Sequence, residues 1–318
     1  MYLLYFYILI PLIIYFIHSW IVSTKYLYFT IDEWKYQRCQ LLANFGELRN
    51  TFAMKKKMVN AFLHLFNYEA VEKSFLARFT SVTNLRANED LKFLRALPFG
   101  VVNQVLNYLD QSNSQFRQDL FALATHDFKR DGFFVEIGAA NGVHLSNTLL
   151  LEKSFSWKGI LVEPAKIWQA DLSNNRTDSI VDNRCVWSES KCSLLFNETV
   201  HKELSTIDVF SSSDSHSVIR NRGKKYYVNT ITLLELLSSY NSPNQIDYLS
   251  IDTEGSEYEI LKNFDFGEYE FGAITVEHNF TSNRELIHDL LTLNGYTRVL
   301  ESVSSVDDWY VNNKIAFI

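Results

Sequence analysis

The sequence predicts a doubly wound α/β domain with a mostly parallel sheet, and three observations predict it. From residue 132 onward, short apolar runs alternate with helical patterns, as in sheets built from strand–helix–strand units. The run at 133–137 passes at once into a glycine-bearing turn, Gly138-Ala139-Ala140-Asn141-Gly142, and then into a helical pattern at 146–153. A second apolar run, at 159–163, ends on the carboxylate of Glu163.

The first strand–turn–helix places a ligand site at the C-terminal edge of the sheet. Glycine lets backbone approach a ligand where a Cβ would clash. The spacing Glu136-x-Gly138-x-x-x-Gly142 is not the dinucleotide fingerprint. It fits the shorter loop that holds the methionine part of S-adenosylmethionine. Glu163 follows Gly142 by 21 residues, close to the offset of about 20 at which a βαβ unit sets an acid against ribose hydroxyls. The bland alternative is an ordinary strand–turn–helix with a surface glutamate.

The remaining strands are expected at 180–187, 247–252, 273–277, after 296, at 309–311 and at 315–318. Helices are expected at 232–240 and 283–294. Between them, 188–224 is polar and long for a loop, which suggests a lid or a partly ordered insertion. Residues 26–125 read as helical. Leu41, Phe45, Leu48 and Phe52 recur at helical spacing, as do Phe62, Leu65 and Phe66. Further helices are expected at 91–109, punctuated by Pro98 and Gly100, and at 116–125. This region either caps the sheet domain (126–318) or packs against it.

Residues 1–23 contain no Asp, Glu, Lys or Arg. About 20 apolar residues span a bilayer core, so this segment is a transmembrane signal-anchor candidate. Pro11 is tolerable in such a helix, and Tyr2, Tyr5, Tyr7 and Trp20 suit the interfaces. A cleaved signal peptide is the rival, but it lacks a basic start. The expected location is an endoplasmic reticulum or Golgi membrane. Lys25, Lys35 and Arg38 favour a cytoplasmic body, whereas sequons at Asn175, Asn197 and Asn279 favour a luminal one. Orientation stays open.

The chain of 318 residues is 47% apolar and 21% charged, with a net charge of −7. That is globular composition, and it argues against general nucleic-acid binding. Three cysteines occur, Cys39, Cys185 and Cys192, with no C-x-x-C, so a zinc site is unsupported. Cys185 and Cys192 are close enough to pair in an oxidising compartment, or both stay reduced.

The stretch 246–261 reads IDYLSIDTEGSEYEIL. It closely resembles the hallmark of FkbM-type S-adenosylmethionine-dependent methyltransferases, roughly I-D-x-L-K-I-D-x-E-G-x-E-x-x-x-L. Residues 134–138 (FVEIG), 146–152 (SNTLLLE), 157–159 (WKG), 160–164 (ILVEP) and the lead-in at 114–120 (SQFRQDL) are similar to the eukaryotic, often membrane-anchored branch. The resemblance covers about 114–300. Two departures are Ala139-Ala140-Asn141 in the glycine loop and Ser250 where lysine is common. The resemblance implies a Rossmann-like class I methyltransferase fold, S-adenosylmethionine as cofactor, and O-methylation, often of a sugar or glycoconjugate hydroxyl. A silent methyltransferase-like protein that binds a partner is the second reading, and a small-molecule or lipid methyltransferase the third.

Fold position then assigns roles. Gly138, Ala139 and Gly142 should lie against the cofactor's amino-acid part, with Glu136 accepting from its ammonium. Glu163 should hold the ribose, and Asn183, Cys185 and Val186 should meet the adenine. Asp252 ends the fourth strand and faces the crevice, as cofactor contact or base. Glu254 and Glu257 either cap the next helix or act in catalysis. His278, after the fifth strand, is either a base or a hydrogen-bonded loop histidine. His144 is expected to pack or cap. Asp252, Glu277 and Asn279 would suit Mg²⁺ by ligand type, but acids at strand ends are generic, and the sequence is read without a metal.

Overall fold

The computed structural model describes residues 82–316. The anchor candidate at 1–23 and the helical spacing at 41–66 lie outside the described residues. Among the described residues, no helix is long and apolar enough to cross a membrane.

Three helices lead in: α1 (Val82–Ala96), α2 (Phe99–Tyr108) and α3 (Gln118–Thr125). Pro98 ends the first and caps the second, at φ −58° and ψ 141°. Proline restricts the residue before it to extended backbone, so α1 stops at Ala96. Phe93, Val101, Val105, Leu120 and Phe121 carry these helices onto the sheet. Arg117 fixes the entry to α3. Its Nε and Nη2 donate to Asp90 at 2.7 and 2.9 Å, and its Nη1 donates to the carbonyls of Leu109 and Ser112.

The chain continues through β1 (Phe133–Ile137), α4 (Leu149–Phe155), β2 (Lys158–Val162), α5 (Lys166–Asn175), β3 (Ile180–Asp182), β4 (Cys185–Val186), β5 (Ser193–Glu198) and β6 (Thr206–Ile207). Then come α6 (Ser217–Arg220), β7 (Lys224–Ile231), α7 (Leu233–Ser239), β8 (Gln245–Ile251) and α8 (Glu257–Leu261). The last elements are β9 (Glu270–Glu277), α9 (Asn283–Leu293), β10 (Tyr296–Val299) and β11 (Asp307–Asn312).

Seven strands form the main sheet in the order β10-β11-β9-β8-β1-β2-β3. Strands β3, β2, β1, β8 and β9 run parallel, and β11 runs antiparallel to β9 and to β10. The central strands are apolar almost throughout because both faces are covered. Val135, Ile137, Ile160, Val162, Leu249 and Ile251 point to one side, which α7, α8 and α9 cover through Leu236, Ile260 and Leu291. Phe134, Leu161, Tyr248 and Trp309 point to the other, under α1 to α4. Strand order reverses between β1 and β8, which opens a crevice at their C-terminal ends.

The structure corrects several expectations. The strand at 180–187 is two. Arg184 turns back on Asp182, its backbone N–H donating at 2.8 Å and its Nη2 at 2.6 Å, so the chain leaves the main sheet at Asn183. Residues 188–224 carry β5 and β6, two strands of a second sheet ordered β4-β7-β5-β6. Scattered apolar positions give it a core: Trp168, Cys185, Phe196, Ile207 and Val228. The helix expected from Ser146 begins at Leu149, because Ser146 and Thr148 spend their hydroxyls on Glu136. Ile315 and Ala316 are not a strand; Ile315 N–H instead turns back to the Asn312 carbonyl at 2.9 Å. Cys185 and Cys192 are unpaired thiols: β7 lies between β4, which carries Cys185, and β5, which Cys192 immediately precedes.

Candidate functional site

The crevice is walled by the ends of β1, β2, β4 and β8 together with residues of the second sheet.

At the end of β1, two backbone contacts lock the glycine turn to its neighbours. Gly138 N–H donates to the Val162 carbonyl, and Asp252 N–H to the Ile137 carbonyl, each at 2.9 Å. Gly138 sits at φ +90°, and a Cβ there would stand 1.7 Å from the Asp252 carbonyl oxygen. The close approach that demands glycine is therefore to the protein's own backbone. Ala139 lines the crevice beside Gly138. Gly142 does not: at φ +75°, it faces α5, where a Cβ would meet Arg176 and Leu172 at 2.6 and 2.7 Å.

Glu136 reaches the crevice wall, but its carboxylate is already engaged. Oε1 accepts from Asn147 N–H at 2.7 Å, and Oε2 accepts from the hydroxyls of Ser146 and Thr148. Burial pushes its pKa up, against Arg176 and these donors. It staples the far end of the loop to β1.

Glu163, just past β2, accepts Ala140 N–H on Oε2 at 2.9 Å and Ala165 N–H on Oε1 at 2.7 Å. One lone pair on each oxygen remains for a ligand. Burial pushes its pKa up to about 7. Cys185 and Val186 line the same crevice; burial pushes the Cys185 thiol up to about 12. Asn183 lies elsewhere, in a shallow groove with Lys166, Arg184 and Tyr227.

The ends of β8 and β9 carry a cluster of acids. One carboxylate oxygen from each of Asp252, Glu254 and Glu277 lies within 4.8 Å of the other two. Asp252 is open to the crevice, while Glu254 and Glu277 are buried. Desolvation raises each pKa; the Asp252 charge adds to the rise at Glu254 and Glu277, while a side-chain hydrogen bond with Glu277 offsets part of it at Asp252. Glu254 stands at φ +61° and binds Arg220 Nη2 at 2.7 Å and Asn279 Nδ2 at 3.2 Å. Glu257 is a cap: its Oε1 accepts from Thr253 N–H, Thr253 Oγ1 and Gly255 N–H at 2.9–3.0 Å.

His278 is not part of the crevice wall. Its Nδ1 accepts Phe280 N–H at 3.0 Å, and its Nε2 lies 3.7 Å from Asp308. Burial lowers its pKa. This is the hydrogen-bonded loop histidine of the two sequence readings. His144 does line the crevice.

Several wall residues escaped sequence reasoning. Trp168, Phe196, Lys202, Glu203 and Ile207 close the side opposite β1, and Lys202 Nζ sits 4.7 Å above the Trp168 ring. Arg220, fully buried, ties this wall to the acids. Besides Glu254 it donates to Asp214 at 2.9 Å and to the Leu204 carbonyl. A lone arginine in a polar stretch gave no sequence signal.

A mostly parallel sheet covered on both faces, with a crevice at the strand-order reversal, is a Rossmann-like architecture. The methyltransferase FkbM domain model matches residues 136–300, more than half of the chain. The chain belongs to that family. No curated protein sequence matches. Among solved structures, methyltransferase FkbM from Methylobacillus flagellatus matches at 13% identity and a TM-score of 0.38, over 71% of this chain and 58% of that one. The chain thus spans little more than half of that relative. Precorrin-6y C5,15-methyltransferase from Geobacter metallireducens matches at 10% identity and a TM-score of 0.34, over 61% of this chain and 84% of that one.

Proposed function

We propose that the protein transfers a methyl group from S-adenosylmethionine to a hydroxyl oxygen, on a sugar or glycoconjugate acceptor. The observation that carries this reading is the Glu163 carboxylate. It lines the same crevice as the 138–140 turn and Asp252, with acceptor capacity left on both oxygens.

The residues fit the cofactor. Glu163 suits a ribose diol, and a carboxylate there disfavours a 2′-phosphate. Val186, Ile207, Phe196 and Trp168 offer apolar and aromatic surface for a purine. Gly138 and Ala139 bring backbone to the crevice at the end of β1, where an amino-acid moiety would lie. When bound, the cofactor supplies an electrophilic methyl on a cationic sulfonium.

The chain's own residues do the rest. Asp252, at the end of β8, turns an exposed carboxylate toward the crevice, where a sulfonium cation would gain from it. Asp252, open to the crevice, is placed to receive the proton that the acceptor hydroxyl loses. The walls from the second sheet exclude water and hold the reactants in line, and most of the rate comes from that positioning. Membrane attachment through residues 1–23, at the endoplasmic reticulum or Golgi, belongs to the same proposal; it rests on the apolar sequence alone.

The test is calorimetric titration of the full chain, in detergent because of residues 1–23, with S-adenosylmethionine and S-adenosylhomocysteine. Micromolar binding that Glu163→Ala weakens at least about ten-fold, the scale of a charge-assisted hydrogen bond, supports the reading. A folded protein that binds neither ligand overturns it.

A further inference from the structure

We infer that Asp252, Glu254 and Glu277 form a binding site for a hard divalent cation, Mg²⁺, Mn²⁺ or Ca²⁺, at the ends of β8 and β9. Their three oxygens all lie within 4.8 Å of one another. Some point then stands no more than about 2.8 Å from each oxygen, close to Ca–O bonds of about 2.3–2.6 Å; Mg–O bonds of about 2.0–2.1 Å need only a small contraction. All three donors are carboxylates, which select hard cations over zinc or copper.

Glu277 points to a ligand independently of the cluster's composition. It is 7% exposed, and its buried Oε2 reaches no hydrogen-bond donor. A buried polar atom without a partner is costly. Here it ends the strand beside β8, next to two further acids. Arg220 neutralises one of the three by binding Glu254 Oε2; Asp252 and Glu277 keep no such partner among the described residues. Two carboxylates side by side without a cation must shed charge or gain a counter-ion, and the open face of Asp252 gives an ion its way in. The ligand set differs from the one sequence suggested: Asn279 spends its amide on Glu254, and Glu254 takes its place.

The site stands without the methyl-transfer reading. Its use rests on that reading: a cation at these strand ends would draw an acceptor's hydroxyl oxygen to the crevice beside Asp252.

The experiment is titration of the full chain with Mn²⁺, following loss of the free-ion electron paramagnetic resonance signal. One saturable site is expected, displaced by excess Mg²⁺ or Ca²⁺. Glu277→Gln, nearly the same shape, should weaken it at least ten-fold, as should Asp252→Asn. S-adenosylhomocysteine calorimetry on Glu277→Gln reports separately that the crevice remains intact. No saturable Mn²⁺ binding, or undiminished affinity in both variants, overturns the inference. Loss of S-adenosylhomocysteine binding by the unaltered chain, with Mn²⁺ retained, would overturn the methyl-transfer reading and leave the cation site standing.

Discussion

Arg220 Nη2 lies 2.7 Å from Glu254 Oε2, and both side chains are buried. This contact ties a residue of α6, in the second sheet's connections, to the acids at the end of β8. Arg220 also holds Asp214 and the Leu204 carbonyl. Arg220→Met would leave two acids without their cation. Removing one partner of a buried pair costs about 3–5 kcal/mol. Urea unfolding should show a loss of that size, and S-adenosylhomocysteine binding should fall with it, since Lys202, Ser205 and Ile207 of this wall would lose their anchor.

Gly138 and Gly100 make an opposed pair. At Gly138 a Cβ collides with the Asp252 carbonyl at φ +90°, so Gly138→Ala should destabilise by about 3 kcal/mol or more, or prevent folding. At Gly100, in α2, nothing lies within 4 Å of a Cβ. Gly100→Ala should stabilise by about 0.4–1 kcal/mol. Thermal melts of the two variants decide both.

Glu163 predicts a pH dependence. Burial raises its pKa from 4.5 to about 7, so between those values the folded chain binds more protons than the unfolded one. Its contribution to stability is fully present below pH 4.5 and is lost as pH rises through about 7. The loss has an upper bound of about 3 kcal/mol. Ligand binding should run the other way, strengthening as the carboxylate forms. Stability and S-adenosylhomocysteine affinity measured from pH 5 to 8 should therefore diverge, and Glu163→Gln should make both curves shallower, with the buried acids Asp252, Asp307 and Glu254 left to titrate in the same window.

The three sequons are not equivalent. Asn175 is exposed. Asn197 is 1% exposed, and its amide donates to Ser211 Oγ and the Arg220 carbonyl at 2.8 and 2.9 Å. Asn279 donates to Glu254. Glycopeptide mass spectrometry on folded protein from a secretory host should find no glycan at Asn197 or Asn279; occupancy at Asn197 would contradict the second sheet.

Thiol chemistry offers a cheap check on the same region. Cys185 is 5% exposed, with its thiol pushed up to about 12, while Cys192 is only partly buried. A maleimide at neutral pH should label Cys192 and spare Cys185 until the chain is unfolded.

The main sheet was legible because burial on both faces forces long apolar runs; β1, β2, β8 and β9 fall within a few residues of their expected places. The second sheet was not legible. Its strands β4 and β6 have two residues each, and β5 and β7 are half polar because one face meets solvent. The site was legible where backbone geometry demands a residue type, as at Gly138 and Glu163. It was not legible where side chains converge from distant segments. Nothing in the local sequence of Arg220 or Lys202 announces that they meet the crevice or its acids, and nothing local shows that His278 turns away.

The contact between Gly138 and the Asp252 carbonyl bears on how the protein's lineage should be read. A descendant that had abandoned catalysis would still need Gly138 to fold, and Gly142 to seat α5. Intact glycines therefore testify to architecture, not to activity. The Asp252 side chain is different, because its open carboxylate has no structural duty comparable to that of its carbonyl. In any comparison of living and silent relatives, that side chain is where decay would first become visible.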